Sequence, residues 1–212
     1  MTTVTAPDHR VEHPADRGPG DTHHTSTGLS NEKLGMWVFL GSECLLFGGL
    51  ISTFLLYRTR DVADMAGPTV ASLYDIPFTS VSSFVLLMSS LTMVLSLSAI
   101  QRGDHRRTRT WLVTTALLGS SFVAGQVYEF TTFLHEGLGF TTNLQSSAFY
   151  TLTGFHGVHV TIGVIMLVSL FVMSLRGRLA TERSETVEIV GLYWHFVDVV
   201  WVVIFTVVYL IS

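Results

Sequence analysis

Five long apolar runs, separated by short polar segments, form the main pattern along the chain. The runs cover residues 34–57, 78–100, 110–134, 148–175 and 187–211. At a rise of about 1.5 Å per residue, a helix formed by any of these runs is longer than the roughly 30 Å hydrocarbon core of a membrane. Transmembrane β-strands are shorter and alternate polar with apolar residues, which these runs do not. The pattern therefore predicts an all-α, polytopic membrane bundle of five transmembrane helices.

The first 31 residues differ from the rest of the chain. Residues 1–31 are rich in Thr, Pro, Asp, His and Gly and lack the apolar stretch of a signal peptide. We expect a disordered cytoplasmic tail over 1–31 and a single five-helix transmembrane domain over 32–212. The tail histidines are scattered, as on a solvated surface, which favours that interpretation over a metal site. They are His9, His13, His23 and His24.

Composition supports a membrane protein. Only 13% of the residues are charged and the mean hydropathy is +0.48, whereas a soluble domain has about 25% charged residues. The net charge of -4 provides no positive field for nucleic acid. The single cysteine, Cys44, excludes an intramolecular disulfide and a cysteine-based metal cluster.

The basic residues predict the orientation in the membrane. With five spans, the tail and the second and fourth connections lie on the same side. That side holds ten of the twelve Lys and Arg residues, and the other side holds only Arg58 and Arg60. By the positive-inside rule, we expect a cytoplasmic N-terminus, an external C-terminus and a location in a bacterial plasma membrane.

Small residues at helical spacing predict where helices approach one another closely. Lipid offers no hydrophobic drive for helix association, so close backbone packing at small residues must contribute. We expect three stripes of small residues at which helices contact one another, and we call each stripe a seam. They are formed by Gly41, Gly48 and Ser52 in the first run, by Ser82, Ser89 and Ser96 in the second, and by Gly157 and Thr161 in the fourth.

Six ionisable side chains lie inside the apolar runs. They are Glu43, Glu129, His156, His159, His195 and Asp198. Such groups are costly at the bilayer centre and therefore need partners or a function. Three interpretations stay open, namely hydrogen bonds between helices, a proton-related role for Glu43, and ligation of a metal or haem by His156 and His159. The spacing of His195 and Asp198 places both on one helix face, where the carboxylate could orient the imidazole.

No catalytic motif is present. The chain lacks CxxC, HExxH, a nucleophile elbow and a phosphate-binding loop. We therefore predict no catalytic residue, no metal site and no cofactor in this chain. Trp37, Trp194 and Trp201 are interpreted as anchors at lipid or at an interface, and packing inside the bundle stays open for Trp194 and Trp201.

Three motifs give the chain a resemblance to a known family. They are KLGMWVFLGSECLLFGG (33–49), GQVYEF (125–130), and the pair GFHGVHVTIG (154–163) and YWHFVDVVWV (193–202). From Lys33 to the C-terminus, the chain resembles subunit III of the haem–copper terminal oxidases, chiefly cytochrome c oxidase. The motifs place the family's buried glutamate at Glu43 and its last-helix signature at Trp194, His195, Asp198 and Trp201.

The resemblance implies a non-catalytic subunit. In that family, subunit III packs on catalytic subunit I beside subunit II, which together hold the haem and copper, and the complex reduces oxygen to water while it moves protons outward. The glutamate matching Glu43 reacts with carbodiimides, and the subunit sustains proton uptake, protects against turnover inactivation and binds phospholipid. The resemblance also suggests that His159 is the partner of Glu43. Long family members have seven helices, so here the first helix pair is missing.

Other functions remain open at this stage. The same motifs occur in the equivalent subunit of quinol oxidases and in proteins associated with nitric-oxide reductases. A stand-alone transporter and a haem-binding membrane anchor belong to different classes. The odd number of helices and the lack of inverted repeats disfavour the transporter, and a visible haem spectrum of the isolated chain would identify the anchor.

Overall fold

The computed structural model describes residues 30–58, 75–179 and 184–211. The predicted tail, apart from its last two residues, lies outside the described residues. The five predicted helices are all present. They are α1 (Asn31–Arg58), α2 (Ile76–Gln101), α3 (His105–His135), α4 (Leu144–Leu175) and α5 (Ser184–Phe205), and α5 continues into a π-helical segment, Thr206–Leu210.

Most helices begin earlier than the apolar pattern predicts because polar caps precede the apolar runs. The side chains of Asp75, Asp104 and Asn143 accept hydrogen bonds from backbone N–H groups in the first turns of α2, α3 and α4. Such caps satisfy donors that have no partner inside the helix. Pro77, expected to stop a helix, instead lies in the first turn of α2, where its missing N–H costs nothing.

Four of the five helices are long and apolar enough to cross a membrane, namely α1, α2, α4 and α5 with its π-helical segment. The remaining helix, α3, has 31 residues but is less apolar. Its polarity comes largely from hydroxyl side chains, and several of these, including Thr110, Thr114 and Ser120, donate to carbonyls of their own helix. This bonding satisfies the hydroxyl groups within the helix, and α3 contacts both α2 and α4. The fold is that of a multi-pass helical membrane protein.

The last helix occupies the centre of the bundle. It contacts α1, α2 and α4, while α3 packs between α2 and α4, and α1 lies at the edge against α4 and α5. This arrangement places polar residues of α1, α2 and α4 next to α5.

Two tryptophans on α5 hold the bundle together, and the interpretation of Trp194 and Trp201 as membrane anchors is wrong. Each is only 1% exposed. The indole N–H of Trp194 donates to Ser89 on α2 at 3.0 Å, and that of Trp201 donates to Ser83 on α2 at 2.8 Å. Both rings therefore lie in the core with their polar atom satisfied, as buried indoles require. Trp37, by contrast, is 50% exposed and remains a candidate anchor.

The small-residue seams are only partly used within the chain. In α2, Ser89 and Ser96 are fully buried, whereas Ser82 is only half-buried and Ser83 takes its place in the core. In α1, added methyl groups at Gly41 and Gly48 would meet nothing within 4 Å. The seam predicted on α1 therefore makes no contact with the described part of the chain. Instead α1 packs through a different stripe, formed by Leu40, Phe47 and Phe54, because these large side chains fill the space beside α4 and α5.

The C-terminal end of α5 is capped by the last residue of α1. The guanidinium of Arg58 donates to the backbone carbonyls of Val207 and Ile211. These carbonyls lie at a helix end, where no backbone N–H further along the helix can reach them. A cation at this position also interacts favourably with the helix dipole.

Replacing Arg58 with alanine should lower the free energy of unfolding by about 0.5 to 1 kcal/mol, because it removes this cap. The quantity can be measured by denaturant titration of the full chain in detergent micelles. Arg178→Ala is the matched control, since Arg178 is exposed at the opposite end of the bundle and lies two residues beyond the C-cap of α4. Equal stability of the two variants would show that the Arg58 cap contributes nothing.

Candidate functional site

The expected contact between Glu43 and His159 is present. Glu43 Oε2 lies 3.1 Å from His159 Nε2, and the two side chains are 14% and 12% exposed. Glu43 lies 12 residues from the start of α1 and 15 from its end, which places the pair at about half the length of the helix. This contact joins α1 to α4 through a carboxyl and an imidazole well inside the apolar part of the bundle.

The hydrogen bonds of His159 constrain where the hydrogens of the pair lie. His159 Nδ1 lies 2.8 Å from the backbone oxygen of Phe155. A carbonyl can only accept, so Nδ1 carries a hydrogen. The contact between Nε2 and Oε2 also needs a hydrogen on one of the two atoms, because two lone pairs do not attract. Glu43 and His159 can therefore share a proton between α1 and α4.

Aromatic residues pack beside the pair. The ring of Phe47 meets His159 edge-on with centroids 5.1 Å apart. The Tyr193 hydroxyl donates to the backbone oxygen of His159 at 3.0 Å, and its ring stacks on Phe39. These contacts hold the turn of α4 that carries His159 in place.

His156 is separated from this pair, although it lies one turn away. It is fully buried, and neither ring nitrogen has a hydrogen-bond partner among the described residues. Its ring stacks on Trp201 at 4.9 Å and meets Phe122 edge-on. Phe47 contacts both His156 and His159. The two histidines therefore have different surroundings, one hydrogen-bonded and the other enclosed by aromatic rings.

A serine joins His195 and Asp198, which the sequence places on one face of α5. The Ser90 hydroxyl donates to Asp198 Oδ2 at 2.7 Å and lies 3.2 Å from His195 Nδ1. Since the serine proton is given to the carboxylate, the serine oxygen accepts from Nδ1–H. The result is a directed chain of hydrogen bonds from His195 through Ser90 to Asp198, which joins α5 to α2. Asp198 Oδ1 has no partner in the described part of the chain.

Glu129 forms a further polar cluster near the opposite end of the bundle from Lys33. Its carboxyl accepts from the hydroxyl of Tyr209 at 2.9 Å, and Thr79 Oγ1 lies 3.4 Å from the same oxygen. Glu129 on α3 is thereby connected to α5 and α2, and it is 8% exposed. The π-helical segment that contains Tyr209 brings the phenol to this position.

The six predicted polar residues thus divide into three hydrogen-bonded clusters and the isolated His156. Over residues 30–58, 75–179 and 184–211, no three His, Cys, Asp or Glu side chains are grouped so that they could hold a metal ion. The alternative of ligation by His156 and His159 gains no support from this arrangement. Sequence reasoning missed Ser90, Tyr193 and Tyr209, since a hydroxyl in an apolar run gives no sign of its partner on another helix.

Chemically, the arrangement can exchange protons and hold helices together. Carboxyl, imidazole and hydroxyl groups are paired across helices. The fold and these pairs define a class, namely integral multi-pass membrane proteins whose intramembrane polar groups connect helices. The chain belongs to the cytochrome c oxidase subunit III family, whose sequence profile matches residues 16–212.

Individual relatives agree with the family assignment. A cytochrome c oxidase subunit 3 of Bacillus sp. (strain PS3) is 39% identical over 182 residues, which cover 86% of each chain. The cytochrome c oxidase subunit 3 of Bacillus subtilis (strain 168) is 36% identical and covers 93% of this chain and 95% of its own. The quinol oxidase subunit 3 of the same strain is also 36% identical, over 95% of this chain and 97% of its own. The chain is thus subunit III of a haem–copper oxidase, part of an oxidoreductase complex.

Proposed function

We propose that this chain is a non-catalytic subunit that packs on catalytic subunit I of a proton-pumping oxidase, and that its Glu43–His159 pair sustains proton uptake. The observation that carries the proposal is the 3.1 Å contact between a carboxyl and an imidazole in mid-helix. A proton shared by the pair is held inside the membrane without the cost of an isolated ion.

Partial exposure of the pair supports exchange with a neighbour. The side chains of Glu43 and His159 retain 14% and 12% of their accessible surface. They lie at the junction of α1 with α4, and α1 is the helix with the least contact to the rest of the bundle. A proton on this pair is therefore accessible at the lateral surface of the bundle, whereas the ring of His156 is enclosed.

The basic residues support an orientation with the N-terminus in the cytoplasm of a bacterial cell and the C-terminus outside. Among the described residues, the ends of the helices on the N-terminal side carry seven Lys and Arg residues, and the opposite ends carry Arg58. Positively charged ends are retained on the cytoplasmic side of the membrane. In this orientation the Glu129 cluster is near the outer surface and the Lys33–Glu188 ion pair is near the inner one.

The proposed partners supply the redox centres. Haem and copper belong to subunits I and II, this chain holds no cofactor of its own, and phospholipid binds to its apolar faces. Cytochrome c is the proposed electron donor, on the basis of the family description and of the relative that is 39% identical. The quinol oxidase relative at 36% supports quinol as the alternative donor. A dinuclear copper centre in the co-purified subunit II decides between the two.

Glu43→Gln in the intact oxidase tests the proton role. Glutamine keeps the shape and hydrogen-bonding capacity of the side chain but cannot release a proton. We expect unchanged haem content, slower proton uptake and a shorter catalytic lifetime under continuous turnover. In an infrared difference spectrum of the intact oxidase, the variant should also lose a band from the carbonyl stretch of a protonated carboxyl group.

Glu129→Gln is the matched control, because it neutralises another buried carboxyl of the same chain. It should leave proton uptake and catalytic lifetime as in the wild type. Wild-type uptake and lifetime in Glu43→Gln would contradict the proposed role of the pair. Loss of haem in Glu43→Gln would contradict a non-catalytic position of this subunit.

A further inference from the structure

A groove runs along the outside of the bundle between α3 and α4. It has a volume of about 290 Å³, and its walls are almost entirely apolar. Val123 and Phe130 line it on α3, and Gly154, Gly157 and Thr161 line it on α4. On α4 these residues lie near the middle of the helix, so the groove opens towards the membrane interior rather than towards water.

One polar atom in this groove has no partner. Gln126 is 7% exposed and lines the groove. Its Nε2 donates to the backbone oxygen of Thr153 at 2.8 Å. The amide oxygen of Gln126 receives no hydrogen bond from any described residue, and it lies against Gly157, where an added Cβ would be only 2.7 Å away. An acceptor that is buried in an apolar environment without a donor is unfavourable.

A second groove, between α1 and α4, is lined by hydroxyl groups instead of an amide. Three of these belong to Thr53, Ser147 and Thr151. Each of these hydroxyls donates to a carbonyl of its own helix or of the turn before it. The α3–α4 groove differs because its acceptor is an amide oxygen, which cannot donate to the backbone and therefore needs a donor from outside the bundle.

The walls of the groove favour a helix as the source of that donor. Gly154 and Thr161 are two turns apart on α4 and both line the groove, and small side chains of this kind let a second helix approach closely. A methyl group added at Gly154 would meet nothing within 4 Å, and Val158 on the rim is 57% exposed. A lipid acyl chain could fill the apolar volume, but it carries no donor and would leave Gln126 unpaired.

We propose that the α3–α4 groove receives a transmembrane helix of a neighbouring oxidase subunit, which inserts a hydrogen-bond-donating side chain against Gln126. The proposal rests on the proposed function, because it takes the neighbour to be another subunit of the oxidase. It adds the location of an interface, its polar contact and the chemistry that the partner side chain must have.

Gly154→Leu in the intact oxidase tests the proposal. A Cβ added at position 154 would meet nothing within 4 Å, and leucine favours the helix more than glycine does, so the isolated chain should lose no stability. Retention of the other oxidase subunits on an affinity-tagged chain during a detergent wash should fall roughly tenfold, because the groove is blocked. Gly49→Leu, at another open helical glycine, is the control and should retain the subunits like the wild type.

A photo-reactive residue at position 158 identifies the occupant. With benzoylphenylalanine in place of Val158, irradiation of the purified oxidase should give a cross-link to a protein subunit. Cross-links to lipid alone would overturn the proposal, as would equal retention of the subunits by the Gly154→Leu and Gly49→Leu variants. In either case the proposed function stands if the wild-type chain co-purifies with the haem-containing subunit, and it fails if no oxidase subunit co-purifies with the wild type.

Discussion

Replacing Trp201 with alanine is expected to lower the free energy of unfolding by about 3 to 5 kcal/mol, the range for removing a large buried aromatic side chain. The indole is 1% exposed, stacks on His156 and meets Phe122 edge-on at 4.8 Å. Its loss leaves a cavity where α2, α3, α4 and α5 meet. The Ser83 hydroxyl also loses the N–H donor that it accepts from.

Trp37→Ala is the matched control for Trp201→Ala. Both substitutions remove an indole from a helix of the same bundle, but Trp37 is 50% exposed. Its replacement should change stability by no more than about 0.5 kcal/mol, as for a surface position. Denaturant titration of the full chain in detergent measures both values. Similar losses in the two variants would contradict the assignment of Trp201 to the core.

Replacing Gly163 with alanine is the second large effect, with an expected destabilisation of about 1 to 3 kcal/mol from overpacking. An added Cβ would lie 2.8 Å from two ring atoms of Trp194 and 3.4 Å from the ring of Tyr193. The Trp194 ring cannot move towards α3, because it is also pressed against Gly119. The strain therefore falls on the contact between α4 and α5. That contact includes the hydrogen bond from the Tyr193 hydroxyl to the backbone oxygen of His159.

Gly154→Ala provides the control on the same helix. Because nothing lies within 4 Å of the added methyl group, only the higher helix propensity of alanine acts, and it should stabilise the isolated chain by up to about 1 kcal/mol. The two variants should thus differ in the sign of their effect on the unfolding free energy in detergent. Stabilisation by Gly163→Ala would show that Trp194 is free to move away from α4.

Much of the fold could be predicted from local sequence. The length of each apolar run exceeds the thickness of the bilayer, which fixes the number and approximate positions of the helices. The first residue of each helix was harder to predict, because the capping residues Asp75, Asp104 and Asn143 are polar and lie outside the apolar runs. Pro77 was misinterpreted for the same reason, since proline both begins and interrupts helices.

The polar residues of the site were found as individual residues, and their pairing was predicted only in part. Their rarity inside apolar runs made Glu43, Glu129 and Asp198 conspicuous, and the family resemblance suggested the contact of Glu43 with His159. The spacing of His195 and Asp198 placed them correctly on one helix face. It did not reveal that Ser90 of α2 lies between them, because serine is common in the interior of membrane helices and signals no particular partner.

The sequence by itself determined the class of the protein, its helices and the identity of its buried polar groups. All of these follow from the cost of placing polar atoms in hydrocarbon, which acts on each residue separately. Only the tertiary structure decided that Trp194 and Trp201 lie in the core, that α1 packs through Phe47 instead of its glycines, and that Gln126 faces a groove without a partner. Lipid and the protein core are equally apolar, so hydropathy cannot show which face of a helix contacts lipid and which face contacts another helix. That choice depends on how side chains of different size fit together across helices.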